Sequence, residues 1–117
     1  RLQAAYALRL ARHREPAALR ELARVADAEP DGTAAQAYLV GAAFALGADP
    51  ARLGAWRAQL ERIQLTGTVE SRFEAANSLL ASATGADLPR AVQLLDGPGS
   101  DTRIGAAHLI LQVHYRE

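Results

Sequence analysis

Val40-Gly41-Ala42-Ala43-Phe44-Ala45-Leu46 decides the fold, because it recurs. The pattern is an apolar residue, any residue, two alanines, any residue and two mostly apolar residues. It returns as Leu2-Gln3-Ala4-Ala5-Tyr6-Ala7-Leu8, Phe73-Glu74-Ala75-Ala76-Asn77-Ser78-Leu79 and Ile104-Gly105-Ala106-Ala107-His108-Leu109-Ile110. Self-similarity at roughly 30–40 residues is the mark of stacked helical repeats, in which each unit buries its apolar face only against its neighbours. Paired alanines suit such a helix, since small side chains let helix axes approach and alanine is the best helix former.

Working outward, a second helix follows each of the first three copies, and each has an early proline. These helices carry Pro16-Ala17-Ala18-Leu19, Pro50-Ala51-Arg52-Leu53 and Pro89-Arg90-Ala91-Val92. Proline near a helix start loses no hydrogen bond and has its φ preset. Asp49 is a fitting N-cap before Pro50. Thr33 with Gln36 reads as a capping box, and Gly47 and Gly85 suit helix C-termini. The reading is seven helices, at about 1–13, 16–27, 33–46, 50–64, 69–83, 88–96 and 101–115. No segment alternates with the period of two that marks a strand. In the helix at 50–64, Leu53, Trp56, Leu60 and Ile63 share one face, so Trp56 is expected in the core.

Arg-x-x-Ala-Ala, a helix end, then Asp-Pro and a second helix: this order resembles the HEAT-like repeats first noted in phycobilisome lyases. Ala42 to Pro50 is the best match, and Ser100-Asp101-Thr102-Arg103 resembles the acidic residue and arginine that open the family's first helix. The resemblance implies an all-α, right-handed superhelix of about seven helices. It would form one domain over 1–117 with three and a half helix pairs. The motif departs from the family at Leu39, where an arginine is usual, and at Gly97-Pro98-Gly99, which shortens the third pair. The chain opens at Arg1 and holds no methionine, so it is expected to be part of a longer one.

Charge and composition narrow the function. Thirteen basic residues, all arginine, balance thirteen acidic ones. Without net positive charge, nucleic acid is not the expected partner. With no cysteine, disulfides and thiolate metal sites are excluded. No apolar run reaches the ~20 residues of a membrane span. His108 and His114 are six apart and share no helix face, so no metal site is expected. Asp27-Ala28-Glu29-Pro30-Asp31-Gly32 begins like an EF-hand loop, but its twelfth position is Tyr38 rather than glutamate. No P-loop, GxGxxG or nucleophile constellation appears, and no cofactor is expected.

The sequence therefore reads as a non-catalytic scaffold that binds another protein or peptide. The alternative is an accessory or catalytic protein of the same family, acting on a tetrapyrrole or a nucleic-acid ligand. Arg20, Arg24, Arg57, Arg90 and Gln93 on the second helices are the candidate partner-binding residues. Leu19, Leu53 and Val92 are their expected packed counterparts. Arg9, Arg12, His13 and Arg14 form a basic cluster at the end of the first helix. On the last helix, Leu109, Ile110 and Val113 are expected to be left partly bare and to form a terminal interface, by self-association or with a further segment. The first test is spectroscopic: far-ultraviolet circular dichroism should be dominated by helix, and a sheet content like that of a mixed α/β domain would contradict the reading.

Overall fold

The computed structural model describes residues 15–97 and 99–116. Among them are six helices and no strand: α1 Pro16–Ala28, α2 Ala34–Leu46, α3 Leu53–Thr66, α4 Val69–Ala81, α5 Leu88–Leu94 and α6 Ser100–Arg116. None is long and apolar enough to cross a membrane. The helix predicted at 1–13 and the basic cluster at 9–14 lie outside the described residues.

Local chemistry sets the boundaries. Glu15 caps α1, its carboxylate accepting from the amides of Ala17 and Ala18 at 3.1 and 2.8 Å, with Pro16 as the first helical residue. Thr33 caps α2 by accepting from the Gln36 amide at 2.9 Å. The capping box expected there is half formed. The Gln36 side chain accepts from the Gly32 amide instead of the Thr33 amide, and donates to Asp31 at 2.6 Å. Gly47 ends α2 in the left-handed conformation (φ 61°), which glycine enters without steric cost. Asp49 accepts from the Ala51 amide and opens a short 3₁₀ turn, Pro50–Arg52, that leads into α3. Thr68 caps α4.

Gly85 does not terminate a helix. α4 closes on Ser82, and Gly85 opens the 3₁₀ turn Gly85–Asp87, held by a Thr84–Asp87 capping box. α5 is two residues shorter than predicted at its end, because the chain turns at Leu95 and Asp96 toward the Gly97 bend.

The helices alternate between two roles. α2, α4 and α6 carry the repeated motif, and α4 packs on both α2 and α6. α1 packs on α2, α3 on α2 and α4, and α5 on α6. The motif alanines mark the packed faces: Ala42, Ala43 and Ala75 are fully buried and Ala106 nearly so. Ala76 and Ala107 are half-buried. Trp56 and Leu60 fill the space under α2 and α4, as the stripe on α3 predicted. A second, smaller core lies between α5 and α6, where Ala91, Leu109 and Val113 are buried and Leu88 and Ile110 pack against them.

That second core corrects one expectation. Leu109, Ile110 and Val113 are not a bare terminal patch, since α5 and the end of α4 cover them from within the chain. The short α5 lies against α6 although it precedes it, and the helical period alone could not show which neighbour takes that face. Val92 is corrected as well: it is 57% exposed, while its counterparts Leu19 and Leu53 are half-buried.

α2 and α4 make the most extensive helix–helix contact. Their crossing depends on Gly41. A Cβ there would stand 2.0 Å from Ser78 Oγ and 2.8 Å from Ser78 Cβ, far inside contact distance. Ser78 is fully buried, and its hydroxyl finds no hydrogen-bond partner among the described residues. Two outcomes follow. Ser78→Ala should stabilise the chain by about 1 kcal/mol by removing an unpaired buried hydroxyl. Gly41→Ala should cost about 1–3 kcal/mol by overpacking, and less when Ser78 is glycine. Chemical denaturation of the double-mutant cycle checks both; equal losses in the two backgrounds would refute the close crossing.

Candidate interaction surfaces

Polar ties between helices recur at roughly the spacing of the repeat. Asp27 on α1 accepts from Arg52 Nη2 at 2.6 Å and from the Trp56 indole N–H at 3.3 Å, and the Arg52 guanidinium lies 5.3 Å from the Trp56 ring centre. Arg57 on α3 pairs with Asp87, and Arg90 on α5 pairs with Glu61 at 3.0 Å while donating to the Glu61 carbonyl. Arg72 on α4 grips Asp101 at the start of α6 through two bonds of 2.7 and 3.0 Å. Arg116 donates to the Ala83 carbonyl and so ties the end of α6 to the segment that follows α4.

These ties decide which predicted site residues are available. Arg57 and Arg90 are engaged inside the chain, where they hold α5 to α3. Arg24 pairs with Glu21 on its own helix, and both remain open to solvent. Arg20 and Gln93 are exposed. The five candidates therefore do not converge into one patch of presented charge. Asp27 and Asp31, which open the EF-hand-like stretch, are taken by Arg52 with Trp56 and by Gln36 respectively. Among the described residues no group of three or more His, Asp or Glu side chains is arranged to hold a metal ion.

Two larger concave features among the described residues lie away from these five candidates. One is a cleft of about 270 Å³ between the Asp31–Gly32 turn, the end of α3 and the start of α4, lined by Gln59, Arg62, Thr66 and Ser71 among others. Its two most deeply buried polar side chains are engaged, Gln36 with the turn and Ser71 with Thr68. The other is an apolar groove of about 290 Å³ between α4 and α6. Phe73, Ala76 and Leu80 form one wall, Ile104, Gly105 and His108 the other, with Asn77 and Asp101 at its edges. Phe73 and Ile104 are each 59% exposed. They hold the same position in their copies of the motif, its first apolar residue. The repeat marks the two as equivalent but not as exposed, since Val40, their counterpart on α2, is buried.

No family model, curated protein or solved structure matches the chain.

The Arg72–Asp101 pair fixes the two walls of the groove. Hydrogen bonding from Arg72 holds the Asp101 carboxyl below its ordinary value of 3.8, with smaller help from the amides at the start of α6; the Arg72 guanidinium is raised in turn. A depressed folded-state value means that the pair's stabilisation is complete above the ordinary carboxyl range and is lost as pH falls through the folded value. Urea midpoints measured from pH 6 to pH 2 should fall more steeply for the wild type below about pH 4 than for Asp101→Asn. Parallel curves would show that the pair does not hold α6.

Proposed function

We propose that this chain is a non-catalytic protein-interaction module, built as a short HEAT-like superhelix of stacked helix pairs, which takes a partner in the apolar groove between α4 and α6. The observation that carries this reading is the groove itself. Phe73 and Ile104 stand opposite each other, more than half exposed, on two helices clamped by Arg72 and Asp101. Large apolar side chains presented together on a rigid frame are a common mark of a binding surface.

Two further features support the reading. The two alternating sets of helices, with polar ties linking residues 25 to 33 positions apart, suit a stack of repeats. The carboxylates best placed for acid–base work, Asp27, Glu61, Asp87 and Asp101, are each held by an arginine, an arrangement that suits structure better than proton transfer. The partner this groove suits is a peptide or helix edge offering aliphatic or aromatic side chains.

Immobilised protein should retain a defined set of partners from a lysate of its source. The double variant Phe73→Ser/Ile104→Ser should lose them while melting within a few degrees of the wild type, since exposed substitutions shift stability by only about 0.5 kcal/mol each. Equal capture by both proteins would contradict the assignment of the groove.

A further inference from the structure

The way α4 holds α6 is repeated on another face of α6, where no occupant is present among the described residues. Three residues of α4, spaced four apart, form the seat for α6. Arg72 binds the Asp101 carboxylate. Ala76 faces Gly105, where an added Cβ would sit at an ordinary 3.5 Å contact. Leu80 packs against the cluster that contains Leu109. The occupant thus contributes a carboxylate in its first turn, a small residue four positions on and an aliphatic residue four beyond that.

Thirty-one residues later the same three types recur at the same spacing as Arg103, Ala107 and Leu111 on α6. Arg103 is posed like Arg72. Arg72 Nη1 donates to the Gly67 carbonyl at 3.0 Å in the bend before its helix, and Arg103 Nη1 donates to the Gly97 carbonyl at 3.0 Å in the bend before its own. Arg72 uses Nε and Nη2 on Asp101, whereas Nε and Nη2 of Arg103 meet no carboxylate among the described residues. Arg103 is exposed, Ala107 half-buried and Leu111 54% exposed.

We infer that Arg103, Ala107 and Leu111 form a second docking face, adjoining the Phe73–Ile104 groove along α6, for an α-helix of a partner protein with the pattern Asp/Glu-x3-Gly/Ala-x3-aliphatic. Charge complementarity at Arg103 sets the register, and the small residue opposite Ala107 lets the axes approach. A second copy of this chain does not supply the occupant. Its own occurrences of the pattern begin at Asp31, Asp87 and Asp101. Leu39 of the first is buried, Ala91 of the second is fully buried, and Asp101 of the third is held by Arg72.

The chain provides its own probe. A fluorescein-labelled, acetylated and amidated peptide with the sequence of residues 99–116 carries the required triad and can be titrated against the intact protein by anisotropy. Saturable binding is expected. It should weaken about tenfold or more with Arg103→Glu, with Leu111→Glu, or with lysine for Asp101 in the peptide, since each breaks a charge-assisted or apolar contact. The lysine peptide should bind the Arg103→Glu protein better than the native peptide does. Both protein variants alter exposed residues, and unchanged melting curves would show that they are folded. Absence of binding up to about 1 mM peptide would overturn the proposal. So would binding that responds to Arg72→Glu but not to Arg103→Glu, because the peptide would then be replacing α6 in its own seat. Self-association of the protein alone that Arg103→Glu abolishes would assign the face to a second copy and overturn it equally.

Discussion

The approach of α2 to α4 at Gly41 and Ser78 is the constraint on which the rest of the structure depends. α2 is apolar around nearly its whole circumference, with Gln36, Ala37, Leu39, Val40, Gly41, Ala42 and Ala43 all buried. Such a helix must be covered on several sides, and α1, α3 and α4 supply the cover. The absence of a side chain at Gly41 brings α4 close, which allows Trp56 and Leu60 of α3 to close the space beneath both helices. A fully buried serine without a hydrogen-bond partner is a costly residue at such a point. Its small volume is what the crossing requires, and alanine or glycine would meet that requirement without the unpaired hydroxyl.

The two crossings of α4 are not copies of each other. On one side Gly41, the second residue of its motif, meets Ser78, the sixth residue of the next. On the other, Ala76, the fourth, meets Gly105, the second. The change accompanies Leu39, which stands where the other copies have arginine and is buried rather than paired. Without an arginine at that position, the α2–α4 contact relies on close packing. At the α4–α6 contact, Arg72 and Asp101 add a polar clamp, and the walls above it stay far enough apart to leave the groove open. The polar clamp and the apolar groove thus have one origin, and a change to either should be felt in the other.

Much of this architecture was legible in the residues, because capping and periodicity are local. Thr33, Asp49, Pro16 and Gly47 each act where the sequence places them. The repeated alanines named the packed faces, and the stripe on α3 named Trp56 as core. What escaped was tertiary. An apolar stripe says that a face will be covered but not by what, so Leu109 and Val113 looked bare until α5 was seen lying on them. Arg57 and Arg90 looked like presented charge because the carboxylates that tie them to another part of the chain, Asp87 and Glu61 respectively, are about 30 residues away in sequence. The groove was hidden for the same reason: Phe73 and Ile104 occupy motif positions that read as core, and only the packing of α4 against α6 shows that both face outward.

Native-state hydrogen exchange tests the central claim most directly, since it reports which helices open together. If α2 and α4 are locked at Gly41 and Ser78, the amides from Leu39 to Ala43 and from Ala75 to Leu79 should share the slowest exchange in the chain and respond alike to denaturant, as one unit released only by global unfolding. α5, with seven residues, should exchange earlier. Independent opening of α2 and α4, or slower exchange in α5 than in either, would contradict the account.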